Sequence, residues 1–163
     1  MDYRNLKKHL NILYQTFVCG ELRPYFKNKQ KELTKNPKIF FLDMGFRNNL
    51  IESFQTPAKR PDAGAVIENT CYVQLHMRFN SFSKMNFWRT KAGAKVDFVL
   101  HVGGRSIPLE VKYSLSGKET LTKSLVSFID TYKPNRALVL TKNYWGRVQR
   151  GATEVLFAPV YYL

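Results

Sequence analysis

Three side chains in the run KVDFVLHVGGRSIPLEVK carry the clearest chemical signal in the sequence: Asp97, Glu110 and Lys112. Ala94, Val96, Phe98 and Leu100 alternate with other residues before Gly103-Gly104, and Ile107, Leu109 and Val111 do so after it. A period of two around a glycine pair predicts a strand, a tight turn and a second strand. With the two glycines as the turn, Val102 faces Arg105, Leu100 faces Ile107 and Phe98 faces Leu109. Asp97 then lies opposite Glu110, and Lys95 opposite Lys112. Like charges directly across a ladder are disfavoured. Two carboxylates about 4 Å apart repel by roughly 1 kcal/mol in water and by about 4 kcal/mol at an effective dielectric near 20. A cation between them removes that repulsion, and hard divalent ions such as Mg²⁺ take oxygen ligands. The alternative is the solvated polar face of an ordinary hairpin. A longer turn would shift the pairs but leave all three residues on the same alternation.

A fourth residue belongs beside them. Asp62 is placed to cap a helix over 63–79 whose buried stripe is Ile67, Cys71, Tyr72, Leu75 and Phe79, and Glu68 falls on that stripe. Carboxylates are seldom buried unless they are paired or bind metal; a Glu near a helix N-terminus can also simply be favoured by the dipole. Hydrolysis of a phosphodiester needs a metal to polarise the phosphoryl oxygen, carboxylates to hold it and a cation near the developing charge. Asp97, Glu110 and Lys112 supply these on one sheet face, and Glu68 can complete the ligand shell or bind a second ion.

The whole chain has the charge for such a substrate. Its 163 residues carry 26 Lys and Arg against 12 Asp and Glu, a formal net charge of +14. Nucleic acid leads as a partner class, because each neutralised phosphate releases a counterion. The basic residues are spread along the chain rather than gathered on an amphipathic helix or beside a span, which argues against a membrane surface. No apolar run approaches the roughly 20 residues that span a bilayer, and MDYRNLKKHL lacks a signal-peptide core. The expected compartment is the cytoplasm. Cys19 and Cys71 stand far apart without a CxxC or a Cys/His cluster, so they read as small buried hydrophobes. His76 and His101 have no partner at metal-binding spacing.

The surrounding elements follow from periodicity. Leu6, Leu10, Leu13, Tyr14 and Phe17 form one helical stripe. An extended segment, a basic turn at Lys27 to Lys31 and a strand over 38–42 come next, like the end of a winged helix-turn-helix whose earlier helices are missing. Asp43 caps a short helix over 44–51. The prolines and Lys59-Arg60 between 54 and 61 read as a linker, dividing a partial winged-helix segment, 1–55, from a domain over 62–163. After the hairpin a helix over 118–132 is stopped by Lys133-Pro134, and Ala137 to Leu140 is the continuous apolar run of a strand covered on both faces. VLFAPVYYL adds a final strand. Trp88, Trp145 and the terminal tyrosines have rings that can stack on bases, with core packing the expected role for most of them.

Taken together, an acidic helix residue followed by Asp and then Glu-x-Lys on adjacent strands, in the order αβββαβ, resembles the PD-(D/E)XK nuclease superfamily. More narrowly, KNPKIFFLDMGFRNNL, GAVIEN, FWRTKAGAKVDFVL and IPLEVKYS resemble the uncharacterised C-terminal domain of prokaryotic AAA-type ATPases. The resemblance implies an α/β fold with a restriction-endonuclease-like core, a central mixed sheet flanked by helices. It implies a metal-dependent deoxyribonuclease-like site using Mg²⁺ or Mn²⁺, with Asp97, Glu110 and Glu68 as ligands and Lys112 orienting water or stabilising charge. Arg89, Lys91 and Lys118 are then expected to hold the phosphate backbone of DNA, and an ATPase domain or subunit is the expected protein partner. Lys95 stands where that family usually has an acidic residue, and no P-loop is present, since Gly117-Lys118 lacks the earlier glycine. The second expectation is therefore a non-catalytic module that docks DNA or an ATPase; a branched-DNA resolvase is a third.

Overall fold

The computed structural model describes residues 2–25, 36–79, 85–113 and 120–163. In chain order these form α1 (Tyr3–Gln15), β1 (Cys19–Leu22), β2 (Lys38–Phe41), α2 (Met44–Leu50), α3 (Ala63–Phe79) and β3 (Met85–Arg89). There follow β4 (Lys95–Val102), β5 (Arg105–Lys112), α4 (Lys123–Tyr132), β6 (Arg136–Thr141), β7 (Gly146–Arg150) and β8 (Thr153–Pro159). β1 and β2 form an antiparallel hairpin, and the other six strands form one mixed sheet in the order β3-β4-β5-β6-β8-β7. β5, β6 and β8 run parallel; β3, β4 and β7 are antiparallel to their neighbours.

The glycine turn closes as the alternation predicts. Gly103 and Gly104 both have positive φ, 57° and 73°, which two-residue hairpins favour because the turn then matches strand twist. The observed pairs run from Val102 with Arg105 to Phe98 with Leu109 as predicted, but the ladder ends there, and the expected pairs of Asp97 with Glu110 and Lys95 with Lys112 are not part of it. Ala137 to Leu140 is the interior strand its composition demands: Ala137 and Val139 pack on one face of the sheet, Leu138 and Leu140 on the other. β7 is absent from the sequence reading. Its GRVQR has no apolar run because it is an edge strand guarded by charge, with Arg147 paired to Glu154 and Arg150 to Asp130.

Two cores hold the layers together. On one face Ile67, Cys71, Tyr72 and Leu75 of α3 meet Met85, Phe87, Phe98, Leu100, Leu109 and Leu140, joined by Leu22 and Phe40 of the N-terminal hairpin. On the other, Leu125, Phe128 and Ile129 of α4 meet Trp88, Val96, Val99, Ala137, Val139, Val155 and Phe157. Cys19 and Cys71 are buried free thiols, and burial pushes Cys71 up to about 12, so neither is poised to react. α4 begins at Lys123, capped by Thr122, later than the predicted start; 118 and 119 lie outside the described residues, as do Lys27 to Lys31.

The N-terminal hairpin is part of the first core rather than an appendage beside it. Phe40 stacks on Tyr72 with ring centroids 4.3 Å apart, and the Tyr72 hydroxyl donates to the Glu21 carbonyl. A Cβ on Gly20 would collide with that hydroxyl. Gly20→Ala is therefore expected to destabilise the fold by about 1–3 kcal/mol through overpacking, read as a lower urea midpoint at unchanged m-value. The stripe on α1 is only partly covered: Leu10 and Tyr14 are half-buried, whereas Leu6, Leu13 and Phe17 are exposed. Asp43 caps α2 as predicted, accepting from the Phe46 N–H at 2.8 Å.

The segment read as a linker is pinned. Arg60 is buried and donates to Asp62, Asn48 and the Ser53 carbonyl. The Asp62 carboxylate, expected as a helix cap, takes Arg60 and Arg47 instead, and these hydrogen bonds hold it well below the usual carboxylate range. The clamp is thereby retained until strongly acidic pH.

Candidate functional site

Asp97 sits at a break in the sheet. Asn86 pairs with Val99 but Trp88 with Val96, so one residue of β3, Phe87, opposes two of β4, Asp97 and Phe98. The extra residue makes a bulge between Val96 and Val99, a device that re-aims a side chain. Its effect is visible in the cores: Ala94 and Val96 pack on the α4 side, Phe98 and Leu100 on the α3 side. The single apolar face expected for these four residues is thus split at Asp97. Beyond Phe98 the ladder gives way, and the Val111 N–H donates to Asp97 Oδ2 at 3.0 Å.

Both carboxylates are 6% exposed, and each has one oxygen tied to the scaffold. Glu110 Oε2 accepts from the Thr122 hydroxyl at 2.6 Å, while that same hydroxyl accepts from the Leu125 N–H and so also caps α4. The second oxygens face ammonium groups at longer range. Asp97 Oδ1 lies 4.0 Å from Lys38 Nζ and 3.9 Å from Lys95 Nζ; Glu110 Oε1 lies 3.4 Å from Lys112 Nζ. Burial raises the proton affinity of both acids, reinforced at Asp97 by the charge of Glu68 and at Glu110 by that of Asp97. Lysines nearby do not fully offset that cost.

Glu68 reaches the same end of the sheet from α3, where its Oε1 is paired with Lys38 Nζ at 2.8 Å. Lys38 therefore stands between Glu68 and Asp97, with Phe87 beneath its ammonium at 5.2 Å from the ring centroid. No local pattern marks this lysine: it is one of many in a basic chain and comes from β2, 59 positions before Asp97. Asn69 escapes sequence reading in the same way. It is buried on α3, donates to the Phe41 carbonyl and accepts from the Phe41 N–H, and so fastens β2, with Lys38, to the helix bearing Glu68. A groove of about 350 Å³ beside this junction is lined by Lys38, Phe41, Arg47, Glu68 and Asn69. Thr122 is the third unforeseen residue; its place before an apolar periodic run signals a cap, but only the fold brings it to Glu110.

Among the described residues no group of three or more His, Cys, Asp and Glu side chains is placed to hold a metal ion. Two buried carboxylates, each with one oxygen not tied to the backbone or Thr122, do fit an ion that takes one or two carboxylates and retains water, as Mg²⁺ does. Asp97 and Glu110 would hold it; Glu68 is engaged by Lys38.

Of the expected phosphate-binding residues, Arg89 pairs across the ladder with Lys95 and is exposed, and Lys91 is exposed in the following turn. Both stand at the Asp97 end of the β3–β4 hairpin. Lys118 lies outside the described residues. His76 stacks on Tyr72, and His101 bonds Asn86 and Ser106 near the opposite end of β4, so neither joins the carboxylates. Among the described residues no helix is long and apolar enough to cross a membrane.

Comparison with known proteins adds family but no activity. Residues 1–56 match a model described as "Domain of unknown function (DUF8612)". Uncharacterised proteins of Mycobacterium tuberculosis (Rv2008c) and Mycobacterium bovis (Mb2031c) are each 28% identical over 108 residues, covering 65% of this chain and 24% of theirs. The chain thus spans about a quarter of the length of the curated relatives it matches. Residues 63–161, which hold α3, the entire mixed sheet and both buried carboxylates, match the model described as "Domain of unknown function (DUF4143)". The chain belongs to the DUF4143 family.

Proposed function

We propose that this is a nuclease-like domain that binds DNA and hydrolyses its phosphodiester bonds with Mg²⁺ or Mn²⁺ at Asp97 and Glu110. The reading rests chiefly on one observation: two neighbouring carboxylates are buried with raised proton affinity at a sheet end, beside Lys112, in a chain of net charge +14. A scaffold that keeps this cost is one that uses the site. The bound ion would polarise a phosphoryl oxygen and lower the pKa of its water. The chain's own groups do the rest. The Val111 N–H and Thr122 hydroxyl fix the two carboxylates in orientation. Lys112, half-exposed at its tip, is positioned to donate to a phosphate oxygen or the attacking water, while Arg89 and Lys91 hold the flanking backbone. The restriction-endonuclease-like core, the winged-helix nature of the N-terminal hairpin and an AAA-type ATPase partner are parts of the same reading, supported by the sequence resemblance. A match to only a quarter of its longer relatives suits a module that works beside other domains.

A second reading is favoured by Lys38 and Lys95: ammonium groups already lie about Asp97, as in a domain that docks DNA without cutting it. The two separate on one experiment. Purified chain is incubated with mixed duplex and branched DNA, with and without Mg²⁺ or Mn²⁺, alongside Lys112→Ala. Metal-dependent product that falls roughly 10²- to 10³-fold in the variant supports cleavage; retention of DNA with no product, or product unaffected by the variant, removes it.

Thr122 gives a separable prediction. Thr122→Val should cost about 0.5–2 kcal/mol as a lost cap, seen in thermal unfolding. It should also weaken Mn²⁺ binding about 10- to 100-fold by releasing Glu110, seen in calorimetry, whereas Thr122→Ser keeps both.

A further inference from the structure

Beside the carboxylate site the fold displays three aromatic side chains that its cores do not use. Trp145, Tyr161 and Tyr162 are 57%, 70% and 61% exposed, yet they touch one another: ring centroids are 4.7 Å apart for Trp145 and Tyr162 and 5.0 Å for Tyr161 and Tyr162. The expectation of core packing holds for Trp88, which is buried and donates to the Tyr132 hydroxyl. It fails for these three.

The surrounding residues hold them outward. In the loop after β6 the Thr141 hydroxyl accepts from the Tyr144 N–H and donates to the Tyr144 carbonyl, and the Tyr144 ring packs edge-on against Phe157. With Tyr144 turned in, Trp145 is turned out. After β8, Val160 and Leu163 both pack on the α3-side core, and the short helical turn between them leaves Tyr161 and Tyr162 facing solvent. The rings are thus carried on anchored backbone from two different segments.

Their location ties them to the site. β5, β6 and β8 are parallel, with Lys112 beside Thr141 and Thr141 beside Pro159. The aromatic residues therefore follow the carboxyl ends of β6 and β8, on the edge of the sheet where the parallel β5 ends in Glu110, Val111 and Lys112. Two strand spacings separate β5 from β8, about 10 Å. Lys142 lies between, its Nζ 5.8 Å from the centroid of Tyr113. Exposed rings with a lysine on the loop that carries one of them suit a chain of alternating bases and phosphates: every base has a stackable face, and a paired base does not offer it.

We infer that Trp145, Tyr161 and Tyr162 form a stacking platform for unpaired bases, so that single-stranded DNA, or the single-stranded part of a branched or frayed substrate, is bound there with Lys142 on its backbone. This deepens the nucleic-acid reading given above and rests on it.

The test is fluorescence anisotropy at about 50 mM salt with four probes: a labelled oligothymidine, its fully abasic counterpart, a duplex of equal length, and a frayed duplex. Wild-type chain should bind oligothymidine more tightly than the abasic strand. Trp145→Ala and Tyr162→Ala should each weaken oligothymidine roughly 5- to 100-fold while leaving duplex and abasic strand almost unchanged, and Trp145→Phe should keep most of the affinity. Thermal unfolding near the wild-type midpoint verifies that these exposed variants fold. Equal affinity for abasic and normal strands, or oligothymidine binding untouched by Trp145→Ala, overturns the platform and leaves the duplex reading standing. Loss of self-association in sedimentation, with oligothymidine binding unchanged, makes the patch an interface between copies and overturns it also. No binding of any strand removes the nucleic-acid reading and the platform together.

Discussion

Asp97→Asn is expected to lower metal-dependent cleavage by roughly 10²- to 10⁴-fold and, at pH 8, to raise the thermal unfolding midpoint. The first effect follows because a metal at a phosphoryl centre is worth several kcal/mol and about 1.4 kcal/mol is a factor of ten in rate. The second follows from burial. Asp97 holds its proton more tightly in the folded chain than in the unfolded one, first through desolvation and then through the charge of Glu68. Between the unfolded value of about 3.9 and the higher folded one, the native state carries more bound proton, so stability falls as pH rises through that window. Above it the ionised carboxylate is a constant penalty. Asn keeps an oxygen for the Val111 N–H but carries no charge, so the gain should be present at pH 8 and disappear below pH of about 4. Unfolding midpoints measured from pH 3 to 8 decide the matter: a variant no more stable than wild type at pH 8 would mean that Lys38 and Lys95 already neutralise the site. A loss of activity paired with a gain of stability is the signature of a residue kept for function.

Binding of duplex DNA should weaken by about 10³- to 10⁵-fold between roughly 50 and 200 mM salt if six to ten phosphates are contacted. The +14 charge supplies the cations for this scale, since 26 cationic side chains stand against 12 acidic ones, several of which are committed to internal pairs. Arg89→Ala and Lys91→Ala should each reduce the slope of log K against log salt by about one and weaken all sequences alike, as phosphate contacts do. A filter-binding series at four salt concentrations is sufficient. A flat salt dependence would place binding outside these cations, and an unchanged slope in both variants would move the backbone path away from the β3–β4 turn.

What the sequence determined was local. The Gly103-Gly104 turn, the register up to Phe98 and Leu109, the span of α3, the cap at Asp43 and the interior position of Ala137 to Leu140 all follow from short-range stereochemistry and from periodicity. The tertiary structure decided the rest. The bulge at Asp97 arises only from the mismatch between β3 and β4, and it sends Val96 and Phe98 into different cores although one alternating pattern runs through both. Lys38 and Asn69 join β2 to α3 through contacts across 30 and 28 positions, Thr122 reaches Glu110 across 12, and no local spacing encodes them. The same holds for the aromatic residues. Trp88 and Trp145 look alike in sequence, but the first lies on a strand under α4 and the second follows a tyrosine that has taken the inward place, and only the packing of the layers distinguishes a core ring from a displayed one.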